Sequence, residues 1–450
     1  MDGGKTGNLV YLAAICAVAS LGGFLFGFDI SVISGTLGSL EEVYSLNKTE
    51  LGLVVASCIF GCIFGAVGAG KMADVFGRKR VLIATSFLLV ASAIGSGWAN
   101  SVEWFVFFRL IGGFGVGAAS GVAPIYIAEV TPTKIRGTLV TFYQLAIVVG
   151  LAVAYFSNYF IELHFTENAW RWMFTAEALP AAIFMITLFL IPETPRFLVK
   201  TGRDEQAYRV LCNVEDEDYA REELVAIEAT LAKVKKGKLA DLLEPRLFRI
   251  VVIGSLLGIF SQISGVNAVL FYAPEIFKAT GVEFKSSLLQ ANFIGLVFIV
   301  FSFIPIALVD RVGRKKILLV GVSCMAVSLA VISTFFVIDR SSSVAILIAV
   351  LCYVSAYAAS IASITWVMLS ELFPNRIRAE AMSVANFCLW TANTILTLTF
   401  PILVERYGIQ TPFIVYTIIC VIIVLFVWRF IPETKGKSLE EIEKELVGLK

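Results

Sequence analysis

Residues 74–79 read Asp74-Val75-Phe76-Gly77-Arg78-Lys79, and 236 positions on the chain reads Asp310-Arg311-Val312-Gly313-Arg314-Lys315. Two further motifs repeat at nearly the same spacing. Glu129-Val130-Thr131-Pro132-Thr133-Lys134-Ile135-Arg136 returns as Glu371-Leu372-Phe373-Pro374-Asn375-Arg376-Ile377-Arg378, offset by 242. Pro192-Glu193-Thr194-Pro195-Arg196 returns as Pro432-Glu433-Thr434-Lys435-Gly436, offset by 240. Three unrelated motifs that share one spacing describe a chain of two similar halves. Internal repeats of this kind build membrane proteins that work by alternating access.

Working outward from these motifs, the intervening sequence is apolar. Hydrophobic residues make up 58% of the 450 and charged residues 16%, against roughly 45–50% and about 25% in a soluble domain. Too little polar surface remains to cover the chain, so lipid is its solvent for much of its length. The net charge of +1 offers nothing to nucleic acid. A bilayer core takes about 20 apolar residues per helix, and such runs fall near 9–38, 51–72, 80–99, 103–128, 138–161, 171–191, 249–276, 286–309, 316–338, 343–370, 379–404 and 411–431. Helices are expected because a span must satisfy its own backbone in lipid, and no alternating barrel pattern appears. The first run contains an acid and no convincing cleavage site, and is read as a span rather than a signal peptide.

Lysine and arginine set the orientation. With the N-terminus inside, 29 of the 36 fall on the inner side, six on the outer side, and Arg109 within a span. Twelve spans with both termini in the cytoplasm satisfy the positive-inside bias. The expected organisation is a six-helix bundle at 1–191, a cytoplasmic amphipathic helical linker at 192–248, a second six-helix bundle at 249–431, and a cytoplasmic tail at 432–450. Seven of the eight cysteines sit in apolar runs and no CxxC occurs, so they are read as small buried or lipid-facing side chains without disulfides or zinc. Asn47-Lys48-Thr49 has the form of a glycosylation sequon but lies close to the membrane. No nucleotide-binding loop, metal cluster or nucleophile–base set is visible, so neither an enzyme nor a cofactor is expected.

Every repeated motif lies at the cytoplasmic end of a span. The acids and arginines there (Asp74, Arg78, Glu129, Arg136, Glu193 and Arg196 in one half; Asp310, Arg314, Glu371, Arg378 and Glu433 in the other) are expected to form an inner gate. Glu129 with Arg136, and Glu371 with Arg378, carry most of that expectation, whereas Lys79 and Lys315 read as simple topological anchors. Asp29, Arg109 and Glu177 lie deep inside apolar spans. A charge at the bilayer centre costs about 2.5–3.5 kcal/mol on insertion scales, so function is the default reading and opposite charges should be partners.

Together these motifs resemble the sugar porter family of the major facilitator superfamily over nearly the whole chain. Further matches are Gly22-Gly23-Phe24-Leu25-Phe26-Gly27-Phe28-Asp29, Arg109-Leu110-Ile111-Gly112-Gly113, Gln262 to Asn267 followed by Tyr272-Ala273-Pro274-Glu275, and Trp366 ahead of Glu371. The resemblance implies a major facilitator fold and proton-coupled import of a monosaccharide (hexose, pentose or polyol), as in bacterial proton-coupled relatives. It implies that Asp29 carries the proton, that Arg109 is its partner and that Glu177 modulates it. A passive facilitator and a non-transporting sensor are the alternatives. Short loops fit a multi-pass protein of a bacterial inner membrane, expected as a monomer.

A sugar presents many hydroxyls and a weakly apolar ring face, so its site should combine amides with aromatic walls. Gln144, Gln262, Asn267 and Asn393 are the amides; Phe24, Tyr272, Trp366 and Trp390 are the aromatics. The chain departs from the family pattern in placing Ser261 before Gln262, Phe298 where an asparagine is usual, and Leu151 and Leu389 where some relatives have glutamine. Ala362-Ser363 replaces a Gly-Pro that would kink the tenth span, so the usual hinge there is expected to be missing.

Overall fold

The computed structural model describes residues 9–132, 135–165, 167–233, 239–338, 342–374, 376–435, 437 and 441. At 232, 233, 239, 240, 306 and 310 the description covers the backbone only, so the side chain of Asp310 lies outside it. So do 436, 438–440 and 442–450 of the expected tail.

Every regular element among the described residues is a helix. Twelve are long and apolar enough to cross a membrane: Leu9–Gly35, Lys48–Phe76, Arg78–Gly97, Val102–Val130, Arg136–His164, Ala169–Leu190, Pro245–Lys278, Phe284–Val309, Arg314–Val337, Ser343–Leu372, Arg378–Tyr407 and Gln410–Phe430. Between the sixth and seventh spans lie the short helices Pro195–Lys200, Asp204–Val214 and Glu217–Lys233, which hold the mixed charges of the hydrophilic segment. The chain has the major facilitator fold. Helices approach closely where glycine removes the side chain: a β-carbon at Gly113 would overlap the Cys58 carbonyl, and one at Gly150 would overlap the Phe24 carbonyl. Such small-residue contacts are how helices pack in lipid, where no hydrophobic force drives them together.

Four spans are not continuous. The first ends in a 3-10 turn at Ile33–Gly35, and the sixth breaks at Glu177. The seventh breaks at Ser264-Gly265, with Gly265 at φ +100°, and kinks again at Tyr272, two residues ahead of Pro274. The tenth is broken too, at Ala359-Ser360, although its Gly-Pro is absent. The Ser360 hydroxyl bonds back to the Ala356 carbonyl at 2.6 Å and packs on Gly321 of the ninth span. A serine that bonds back to a helical carbonyl bends the helix, so the hinge is present, three residues earlier than the family pattern places it.

Prolines also free backbone acceptors. Pro274 cannot donate to Leu270, nor Pro401 to Thr397. The Leu270 carbonyl is taken by the Tyr155 hydroxyl at 2.7 Å and the Thr397 carbonyl by the Tyr272 hydroxyl at 3.1 Å. The unwound Ser264 carbonyl accepts from Tyr353 at 3.0 Å. In lipid each orphaned carbonyl must find such a partner. The Tyr155–Leu270 bond also joins the fifth span to the seventh. Gly295 lies against Ala152, and Gly52 against Leu398, so these contacts between the first six spans and the last six lie toward the end opposite the basic motifs.

Candidate functional site

The repeated motifs build the same cage twice. Gly77 and Gly313 have φ of +97° and +96°, and each faces an acid so closely that a β-carbon would strike it: Glu193 in one half, Glu433 in the other. Glu193 accepts the backbone N–H groups of Arg78 and Lys79 at 3.1 and 3.2 Å. Glu433 accepts those of Arg314 and Lys315 at 2.9 and 3.2 Å. A carboxylate at a helix N-terminus satisfies orphan donors and the helix dipole together. The guanidinium of Arg78 meets Glu129 at 3.0 Å, and that of Arg314 meets Glu371 at 3.0 Å. Asp74 lies 3.2 Å from Arg78 and 3.8 Å from Lys200. Arg196 lines a cavity of about 520 Å³ with Arg78, Glu129 and Glu228 of the linker.

In this structure Glu129 and Arg136, and likewise Glu371 and Arg378, stand apart, as the gate expectation has them when the inner mouth is open. Arg136 begins its helix and turns back to the Thr131 carbonyl at 3.3 Å, and Arg378 does the same to Phe373 at 3.1 Å. Those carbonyls end the preceding helices and need donors, so the acids pair with Arg78 and Arg314 instead. Lys79 and Lys315 do more than anchor: their ammonium groups donate to the Phe189 and Trp428 carbonyls.

Deeper in the first half, Asp29 is 2% exposed and forms an ion pair with Arg109, also 2% exposed. Arg109 Nη2 reaches the Asp29 carbonyl at 3.4 Å, and its guanidinium lies 5.4 Å from the Phe174 ring centre. Glu177, at the break of the sixth span and equally buried, faces both Asp29 and Arg109. Cys58 of the second span donates its thiol to Asp29 Oδ2 at 2.8 Å. A cavity of about 10 Å³ touches the pair, lined by Phe26, Ile30 and Cys58 and, from the other half, by Phe271 and Trp390. A void that size holds about one water.

The candidate sugar residues fall into groups. Asn267 donates to Gln262 Oε1 at 2.6 Å across the break of the seventh span, and Gln262 donates to Ser261 at 3.0 Å. Thr397 connects Tyr272, which bonds its carbonyl, to Asn393, which accepts its hydroxyl at 3.4 Å. Tyr272 also stacks on Phe400 with centroids 4.7 Å apart. Trp390 meets Phe26 across the halves at 5.6 Å, whereas Phe24 lies beside Phe28 at 6.2 Å. Gln144 is half-buried and makes no hydrogen bond among the described residues, and Trp366 is 39% exposed.

A family model described as "Sugar (and other) transporter" matches residues 15–446. The chain belongs to that family. This transporter is 37% identical over 445 residues to the arabinose-proton symporter of Bacillus subtilis, covering 98% of this chain and 96% of that one. It is 38% identical over 477 residues to the D-xylose-proton symporter of Escherichia coli, covering 97% and 96%. Its structure matches the inward-open conformation of the E. coli xylose transporter XylE with a TM-score of 0.87 at 36% identity, over 96% of this chain and 99% of that one. The chain is a multi-pass membrane protein that transports sugar and is not an enzyme.

Two features of this sugar transporter escaped the sequence. Cys58, read as a small buried or lipid-facing side chain, touches Asp29, and nothing in its sequence neighbourhood marks it apart from Cys62 one turn later. Asn47, read as a sequon, caps the second span: its side chain accepts from Glu50 N at 2.9 Å while Glu50 accepts from Asn47 N at 2.9 Å. The departures from the family pattern leave apolar surface, with Leu151 and Leu389 buried and Phe298 set edge-on to Tyr357 at 5.9 Å.

Proposed function

We propose that this sugar transporter is a proton symporter that imports a monosaccharide (a hexose, a pentose or a related polyol) by alternating access across a bacterial inner membrane. The observation that carries this reading is the burial of Asp29 against Arg109, with Glu177 beside them, in the middle of an apolar bundle. A buried ion pair adds little stability over a well-packed apolar pair, so its presence in a membrane asks for a use. A proton on Asp29 cancels its attraction for Arg109 and gives the bundle two electrostatic states. Sugar held by Gln144, Gln262, Asn267 and Asn393 against Phe24, Tyr272, Trp366 and Trp390 would bias the same equilibrium, since a ligand favours the state it fits.

In this reading 1–191 and 249–431 rock against one another. The linker 192–248 and both termini lie in the cytoplasm, the protein works as a monomer, and the two acid–arginine cages hold the inner ends. The inward-open likeness and the contacts opposite the basic motifs fit a state that has released sugar and proton, with Asp29 re-paired to Arg109. The named activities of the arabinose and xylose relatives support the same cycle. The test is uptake of labelled monosaccharides into proteoliposomes with and without an imposed pH gradient. Accumulation that follows the gradient supports symport; equilibration unaffected by it makes the protein a facilitator.

A further inference from the structure

We propose that Cys58 is a positioning residue for proton exchange at Asp29, its thiol holding the carboxylate in the form that pairs with Arg109. This rests on the symport reading of the same site. The carboxylate has two oxygens with different partners: Oδ1 meets Arg109, and Oδ2 accepts from the Cys58 thiol at 2.8 Å. Around them the wall is largely apolar, with Ile30, Val55, Ile59 and Phe271 on the small cavity. The titratable or charged groups facing Asp29 come from three spans: Cys58 from the second, with Cys62 beside it on the same cavity, Arg109 from the fourth and Glu177 from the sixth.

A hydrogen bond donated to a carboxylate favours the ionised form over the protonated one. Once Asp29 takes a proton at Oδ2, that oxygen is a far poorer acceptor for the thiol, which offers only a weak acceptor in return. The bond is therefore strong in the empty, Arg109-paired state and weak in the loaded one. Cys58 thus helps the proton leave and sets the pH at which the carrier is half loaded. The close approach of Gly113 to the Cys58 carbonyl holds this turn of the second span against the fourth, which carries Arg109.

The experiment is the pH profile of equilibrium sugar exchange in proteoliposomes, for the full chain and for Cys58→Ala and Cys58→Ser. Exchange needs the protonated carrier, so it falls as pH rises through a midpoint. Removing a donor that favours the ionised acid should move that midpoint upward, by about half to one pH unit, or roughly three- to tenfold in proton occupancy. Serine, a stronger donor than a thiol, should move it below that of the unaltered protein. A purely structural role would lower exchange at every pH without moving the midpoint, and that outcome overturns the proposal. Should the alanine variant fail to insert, the serine variant decides alone: a midpoint below that of the unaltered chain supports the proposal, and one equal or higher overturns it. The unaltered protein tests the parent reading separately, because failure to accumulate sugar on a pH gradient would reject symport whatever the Cys58 variants do.

Discussion

The Glu433 carboxylate accepts the backbone N–H of Arg314 at 2.9 Å, pinning the segment after the twelfth span to the start of the ninth. Glu193 does the same for Arg78 in the first half. Losing a helix N-cap costs about 0.5–2 kcal/mol, and Glu433 caps two donors at once. Glu433→Ala should therefore lower the thermal midpoint of the detergent-purified protein, with Glu433→Gln, which keeps an acceptor, falling between it and the unaltered chain. Equal midpoints for alanine and glutamine would assign the effect to charge alone.

Asp29→Asn separates proton cycling from sugar movement. The amide can still pack beside Arg109 but takes up no proton. Accumulation driven by a pH gradient should vanish while exchange of labelled for unlabelled sugar persists and loses its pH dependence. A variant that still concentrates sugar on a pH gradient alone would remove Asp29 from the coupling role.

The amide pair Gln262–Asn267 spans the break of the seventh helix, so its loss should act on binding. On the proposed sugar site, Asn267→Ala would remove one neutral hydrogen bond to the sugar, and Gln144→Ala another. Each is worth about 0.5–1.5 kcal/mol, or about two- to twelvefold in affinity. Substrate protection against thermal unfolding, titrated for several monosaccharides, measures this. Affinities unchanged for every sugar in both variants would place the site elsewhere.

The twelve spans were readable because lipid leaves the chain few options: each span needs about 20 apolar residues, and the triple repeat divides them. The Asp29–Arg109 pair was readable because lone opposite charges in apolar runs must meet. The helix breaks were not. Ser360 bends the tenth span through a back-bond that any buried serine could form, and the partners of Arg136 and Arg378 are backbone carbonyls, which carry no sequence signature. Cys58 was missed for a similar reason, since its role depends on which face of the second span meets Asp29, and that span is apolar on every side.

The Tyr155 hydroxyl bond to Leu270 offers a test of how the end opposite the basic motifs is shut. Leu270 has a free carbonyl because Pro274 cannot donate to it, and the donor comes from the other half of the protein. The bond therefore exists only while the halves are together at this end. Tyr155→Phe leaves the carbonyl buried without a donor in the closed state and exposes it to water in the open one. A loss of about 0.5–1.5 kcal/mol would shift the ratio of the two states about two- to twelvefold toward opening. Ser34 reports on it: it is 1% exposed, in the Ile33–Gly35 turn that packs on Val266–Lys278. With the native cysteines replaced and Ser34→Cys introduced, a membrane-impermeant thiol reagent applied from outside should label the Tyr155→Phe protein faster by that factor. The hydroxyl bond is no latch if the two labelling rates coincide.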